Sequence, residues 1–286
     1  MASCGIAIEI APFVTRIRSA LPRVARALQL LYASYPVDEA GFCDFHVELT
    51  AGAGIRRWFR PQVNFVLDGT RPFKPLPLEQ AYPMFEWGLN WCIANHCHRF
   101  LMLHAAVVER HGGAVVLPAP PGSGKSTLTA ALASRGWRLL SDELALIVPS
   151  SLELMPVPRP ISLKNQSIEL IRRFAPDELI GPVWRDTRKG DIAHVRASDE
   201  SIARAREPAK PSWIVFPHYD EGAGPTLEHI SKARSVARLA GNAFNISRLG
   251  GDGFDCLVEL VDACECRQFR YSRLEDAVAI FDALEF

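Results

Sequence analysis

The chain carries no excess of either charge: 32 lysines and arginines stand against 32 aspartates and glutamates. A global field that would attract nucleic acid or an anionic membrane is therefore missing, and any polyanion would have to meet a local patch. No run approaches the roughly eighteen apolar residues that a membrane span requires. Glu9, Pro12, Arg16 and Arg18 interrupt the segment where a signal peptide would place its apolar core. The seven cysteines are odd in number and include no C-x-x-C pair, which fits reduced thiols rather than a disulfide framework. These absences point to the cytoplasm, with no nucleic acid and no membrane as partner. Internal repeats are absent too. What remains is an ordinary globular composition, 48% hydrophobic over 286 residues, enough for one large domain or two small ones.

The most informative segment is Ala119 to Thr127, A-P-P-G-S-G-K-S-T, which follows the apolar run Gly113 to Leu117. It reads as a phosphate-binding loop. Gly122 and Gly124 let successive N–H groups point into one concave site, with Pro121 and Ser123 completing the turn. Lys125 can reach the β- and γ-phosphates, and Ser126 or Thr127 offers a hydroxyl to Mg²⁺. A helix over 126–135 would direct its positive end at the phosphates. The pattern G-x-x-x-x-G-K-[ST] is broken once, because Ala119 stands where the first glycine belongs. Pro120 and Pro121 also remove two backbone donors, so the anion site rests on the amides from Gly122 onward.

Periodicity predicts a helix over 19–35, with Ser19 as its cap, and a strand over 42–49 that buries one face. Two further strands are expected at 56–60 and 62–67, and a largely buried helix at 78–98. In the second half, strands at 101–109 and 114–117 flank the tight turn His111-Gly112-Gly113. Strands at 137–140, 144–148, 153–157, 213–216 and 267–271 follow, with helices at 165–174, 231–244 and 254–264. The stretch 176–207 reads as polar and irregular. Ser272 to Glu275 reads as a capping box for a last helix. The chain thus divides into an N-terminal α+β module, 1–98, and a nucleotide half, 99–286, giving an α/β protein of mixed α+β character.

Asp142-Glu143 closes the strand that follows the loop. A carboxylate there can hold Mg²⁺ or take a proton from an attacking hydroxyl, although a surface acidic pair would read the same way. His104 sits in an apolar strand and reads from its spacing as a core residue. Arg159 and Lys164, then Arg185, Arg188, Lys189 and His194, form a basic series that can stabilise charge on a transferred phosphoryl, or remain solvated. Cys92, His96, Cys97 and His98 lack a second ligand pair at zinc spacing.

Read together, L-H-A-A-V-V-E at 103–109, A-P-P-G-S-G-K-S-T at 119–127 and R-G-W-R-L-L-S-D-E at 135–143 resemble the catalytic domain of HPr kinase/phosphorylase. The closer resemblance is to the HprK-related kinase A family, through E-W-G-L-N-W-C at 86–92, R-P-I-S-L-K-N at 159–165, D-T-R-K-G at 186–190 and N-A-F-N at 242–245. The resemblance implies a phosphoenolpyruvate carboxykinase-like P-loop kinase core that binds ATP with Mg²⁺ and transfers the γ-phosphoryl group. It implies His104 as an active-site histidine, Lys125 and Ser126 as nucleotide and metal contacts, and Asp142 as the carboxylate that activates the acceptor. Glu143 would be its acidic neighbour and a metal ligand, with glutamate where the family's pattern has aspartate. The glycine-rich signature for gripping HPr is missing, so a serine-type hydroxyl on a peptide or small protein is the expected acceptor. A P-loop ATPase or GTPase without acceptor and a nucleotide-dependent binding module are the rival readings. The sequence leaves a homo-oligomer open.

Overall fold

The structure, a computed structural model, describes residues 5–38, 41–54, 58–120 and 122–286. The N-terminal part is a five-stranded sheet in the order β1-β2-β3-β4-β5. Its strands are β1 (Ile6–Ile10), β2 (Phe13–Ser19), β3 (Phe45–Ala51), β4 (Gln62–Leu67) and β5 (Leu76–Pro77). Helix α1 (Pro22–Leu31) joins the parallel neighbours β2 and β3 and buries the predicted stripe Val24, Ala27, Leu28 and Leu31. A 3-10 turn, Leu78–Gln80, leads into α2 (Ala81–His96). This helix is buried on most sides, as its continuous apolar character requires.

The C-terminal part is built on a six-stranded sheet, order β16-β17-β15-β8-β7-β9. The strands are β7 (Ala105–Arg110), β8 (Gly113–Pro118), β9 (Arg138–Ser141), β15 (Lys210–Tyr219), β16 (Thr226–His229) and β17 (Glu265–Tyr271). His111 and Gly112 both take positive φ, which makes the β7–β8 connection a two-residue hairpin turn with the twist such hairpins need. Side chains alternate across this sheet into two cores. Ala106, Val108, Val115 and Leu117 face one core, shared with α3 (Lys125–Ala133), α8 (Leu274–Asp282) and the N-terminal module. Ala105, Val107, Ala114 and Val116 face the other, covered by α7 (Ile246–Ala263) and by the small sheet β11-β10-β6. That sheet comprises β6 (Leu101–Leu103), β10 (Ala145–Ile147) and β11 (Leu154–Met155). Burial on both faces explains why these strands read as continuous apolar runs rather than alternating ones.

Several expectations change. The strands β1 and β2 are not among the predicted elements, and Ser19 ends β2 instead of capping α1. Its hydroxyl bonds the Leu49 carbonyl, tying β2 to β3. Residues 58–60 form a turn rather than a strand, and the rest of that predicted strand lies outside the described residues. The predicted strand 101–109 is broken at His104 into β6 and β7, which belong to different sheets. The stretch read as irregular, 176–207, holds β13 (Trp184–Thr187), β14 (Gly190–Val195) and α5 (Asp199–Ala203). The sheet order β12-β14-β13 adds β12 (Ile161–Lys164), which leads into α4 (Gln166–Phe174). Ile192, Ala193 and Val195 are buried there, a short apolar signal hidden among charges. Ser272 does not cap α8; its hydroxyl donates to the Ala223 carbonyl. The remaining helix, α6 (Lys232–Ala240), is capped by Ser231, whose side chain accepts from the Arg234 amide. Among the described residues no helix is long and apolar enough to cross a membrane.

Gly88 is where α2 meets the five-stranded sheet. A Cβ at this position would lie 2.1 Å from the Phe65 ring. Overpacking of this kind costs about 1–3 kcal/mol, whereas replacing glycine in a helix gains about 1 kcal/mol at most. Gly88→Ala is therefore expected to lower stability in urea denaturation; unchanged or higher stability would mean that α2 does not seat on β4 through this contact.

Candidate active site

The loop after β8 has the geometry its sequence requires. Gly122 and Gly124 adopt φ of +87° and +86°, open to glycine and strained for other residues. Gly124 is also confined: an added Cβ would lie 2.6 Å from the Tyr271 hydroxyl oxygen. That hydroxyl donates to the Gly124 carbonyl at 3.1 Å, and the Tyr219 amide donates to the Ser123 carbonyl at 3.1 Å. The ends of β15 and β17 thus clamp the loop. Ser123 closes it internally by donating to the Pro120 carbonyl at 2.7 Å. Pro121 lies outside the described residues. Gly124 occupies the N-cap of α3 and supplies no side-chain acceptor, so the first-turn amides of Lys125, Ser126 and Thr127 have no partner within the helix. Ser126 and Thr127 are half-buried on that first turn.

Asp142, buried at the end of β9, stands against the loop. Its carboxylate Oδ1 is 3.8 Å from Lys125 Nζ, and the same ammonium donates to the Asp142 backbone carbonyl. The Ser162 amide donates to Oδ2 at 3.3 Å. Glu143 turns the other way and accepts from Asn90 Nδ2 at 2.6 Å. Burial pushes the Glu143 carboxyl up, but the charges of Lys125, Lys189, Lys164 and Arg159 outweigh it and hold the group below the usual glutamate range.

His104 occupies the break between β6 and β7. Its amide donates to the Asn242 carbonyl at 2.8 Å, and its ring meets Phe244 edge-on, centroids 5.8 Å apart. Burial and the Lys125 charge lower its proton affinity against the pull of Glu143 and Asp142, so it is neutral at pH 7. Lys164 ends β12. Lys189, in the β13–β14 turn, places its ammonium 5.5 Å from the centroid of the Trp87 ring. Burial lowers its proton affinity, with Glu143 opposing and Lys164 and Lys125 adding to the shift. The structure therefore brings His104, Lys125, Asp142, Glu143, Lys164 and Lys189 into one electrostatic cluster. Lys189 is exposed, as are Arg185 and Arg188, but its charge acts on Glu143.

Arg159 belongs to this cluster through a network that the sequence reading did not contain. It is buried and donates to the Glu86 carboxylate, to the Glu86 backbone carbonyl at 2.8 Å, and to Asn90 Oδ1. Glu86 also accepts from Tyr32 at 2.8 Å and Tyr82 at 2.5 Å. Burial pushes the Glu86 carboxyl up, but Arg159 above all holds it ionised. Glu86 and Asn90 stand four apart on one face of α2. Two polar residues at helical spacing in an otherwise buried helix were the available signal, since a buried carboxylate demands a partner. Among the described residues no group of three or more His, Cys, Asp or Glu side chains is arranged to hold a metal ion. Burial pushes the Cys92 and Cys97 thiols up to about 12 and about 11, so both are protonated at neutral pH.

Residues 89–161 match the model of the family described as SynChlorMet cassette protein ScmC. The matched segment is about a quarter of the chain and contains Asn90, His104, the loop, Asp142-Glu143 and Arg159. No curated protein matches the chain.

Arg159→Leu leaves Glu86 buried without its counter-ion and should lower stability by about 3–5 kcal/mol, read from urea unfolding; a loss below about 1 kcal/mol would mean that Glu86 is not held by this pair. His104 and His194 both have lowered proton affinity in the folded state, burial being the main cause. The unfolded chain then binds more protons as pH falls through the ordinary histidine value of about 6.5. Stability is full above that pH and declines below it, until the folded-state values are passed. The urea midpoint should fall between pH 7.5 and 5.5, with a smaller slope in His194→Gln; an unchanged slope would exclude His194 as a source.

Proposed function

We propose that this chain is an ATP-dependent kinase that transfers the γ-phosphoryl group to a serine-type hydroxyl, on a peptide or small protein. The observation that carries the reading is the 3.8 Å approach of the Asp142 carboxylate to Lys125. The acid lies beside the cation that, in a loop of this type, reaches the terminal phosphates. The placement of loop, α3 and β9 agrees with the HPr kinase-like P-loop core that the resemblance implies. A cytoplasmic enzyme fits as well, since the six described cysteines are free.

The side chains present also fit Mg²⁺. It takes hard oxygen donors, few of them from protein and the rest from phosphate and water. Ser126 and the ionised Glu143 offer such oxygens, and Asp142 Oδ1 is buried without a hydrogen-bond partner. When bound, the ion neutralises charge on the phosphate oxygens. The chain's own groups do the rest. Loop amides from Gly122 to Thr127, with Lys125, bind the phosphates. Asp142 accepts the proton of the acceptor hydroxyl. That oxygen bonds to the γ-phosphorus as the bond from phosphorus to the bridging oxygen breaks, ADP departs, and Asp142 returns its proton to solvent. Neutral His104, with Lys164 and Lys189, faces the developing charge. Arg159 is already matched by Glu86, so it positions Asn90 and Glu143 rather than contacting phosphate.

Transfer from γ-labelled ATP to serine-containing peptides tests the reading. Asp142→Asn should lower transfer by about a hundredfold or more while ATP affinity stays nearly constant. Phosphate release to water alone, equal in both proteins, would leave an ATPase; bound nucleotide with no turnover would leave a binding module.

A further inference from the structure

Four of the residues that line a single cavity beside the acid pair each carry a buried polar atom without a protein partner. The atoms are Asp142 Oδ1, Arg159 Nε, Ser162 Oγ and His194 Nδ1. All four residues are nine-tenths or more buried. Only eight such orphaned atoms occur among the described residues, so half of them converge here. Native interiors pair nearly all buried polar atoms, and each failure costs free energy. Convergence of four on one space points to an occupant that pairs with them.

Two of the walls are held in register. Ser162 on β12 and His194 on β14 are direct cross-strand partners. Their side chains therefore project on the same face of that sheet. Arg159 is fixed by Glu86 and Asn90, and Asp142 by the Ser162 amide. Trp87 and Val157 close the apolar sides. The cavity volume is about 30 Å³, room for a water or a hydroxymethyl group and too small for a ring.

The donor and acceptor inventory selects the occupant. Asp142 Oδ1 only accepts and Arg159 Nε only donates, while Ser162 Oγ does both. A group that satisfies both of the first two must donate and accept. A carboxylate cannot donate, and either a carboxylate or a phosphate would meet the carboxylates of Glu86, Asp142 and Glu143 with only Arg159 in opposition at the cavity wall. An ammonium cannot accept from Arg159. A hydroxyl does both and carries no charge.

We infer that this cavity is a recognition subsite for a neutral, unhindered hydroxyl on a side-chain-sized group, with Ser162, His194 and Arg159 as its specificity-determining residues. The inference deepens the kinase reading, on which it rests for the fate of that hydroxyl. It places the hydroxyl on the free oxygen of Asp142, beside Lys125. It also excludes phenols and acidic side chains as acceptors, and it gives the N-terminal module, through Trp87 and the Glu86-held Arg159, a part in choosing the acceptor.

Ligand-observed saturation-transfer NMR on the full chain tests the subsite without requiring catalysis. The probes are N-acetyl-serinamide, N-acetyl-alaninamide and N-acetyl-tyrosinamide. Serinamide should give a response about two- to tenfold above the other two. Ser162→Ala, which keeps the amide bond to Asp142, should remove that excess, and His194→Gln should reduce it. Equal responses to the three probes would show a cavity for ordered water only, and an excess that survives Ser162→Ala would show that Ser162 does not select the hydroxyl; either result overturns the inference. Selective binding without transfer from ATP would remove the kinase reading and keep the subsite. Transfer to serine peptides at an unchanged rate and KM in Ser162→Ala would keep the kinase and remove the subsite.

Discussion

Arg159 and Glu86 meet inside the protein, away from water, and the arrangement of the site depends on that contact. Glu86 belongs to α2, which packs on the N-terminal sheet. Arg159 belongs to the segment that enters β12 in the C-terminal part. Their pairing joins the two parts at the point where the acid pair sits. Two charges buried in this way gain little net stability, because desolvation offsets most of their attraction. Their effect is on geometry: neither can move without leaving the other uncompensated. The pair is extended by Tyr32 and Tyr82 on the Glu86 side and by Asn90 on the other, and Asn90 fixes Glu143. The N-terminal module therefore reaches the acid pair through Glu86 and Asn90 of α2. A division of the chain at residue 98 separates segments whose buried side chains form a single core cluster.

The parts of this architecture that the sequence exposes are those in which one residue type has one physical use. Glycines at positive φ in the loop, the His111-Gly112 hairpin and the apolar stripe of α1 all belong to that class. Asp142 is an intermediate case: its place at a strand end is legible, but only the structure separates a buried carboxylate beside Lys125 from a surface acidic pair. The hidden parts depend on tertiary partners. Tyr219 and Tyr271 clamp the loop from strands far along the chain, and nothing in their local context marks them. Ser272 has the spacing of a capping box, yet its hydroxyl finds a closer acceptor in Ala223. The three-stranded sheet β12-β14-β13 escapes because its buried residues are few and lie among arginines and lysines. His194 is the clearest case: it reads as one more cation in a basic series, and it is a buried neutral ring packed against Tyr82 and Trp184.

Charge at the site is balanced without being cancelled. Glu143 and Asp142 face Lys125, Lys164 and Lys189, while Arg159 is spent on Glu86. Lys125 carries the most consequence. It donates to the carbonyl of Asp142 and leans toward the carboxylate of the same residue. On the kinase reading, a phosphate arriving at the first turn of α3 would compete for this ammonium, and the competition would link occupancy of the loop to the surroundings of the acid.

That coupling gives meaning to the asymmetry of the Asp142 carboxylate. One oxygen, Oδ2, is held by the Ser162 amide, and this sets the plane of the group. The other, Oδ1, is buried yet makes no hydrogen bond, since 3.8 Å from Lys125 is attraction without a bond. A carboxylate that served only to stabilise the fold would use both oxygens, because an unpaired one costs free energy. Orientation fixed through one oxygen, with the other left open toward both a cation and a small polar cavity, is the arrangement that a proton acceptor requires. On the kinase reading, Oδ1 is the oxygen left available to an incoming hydroxyl.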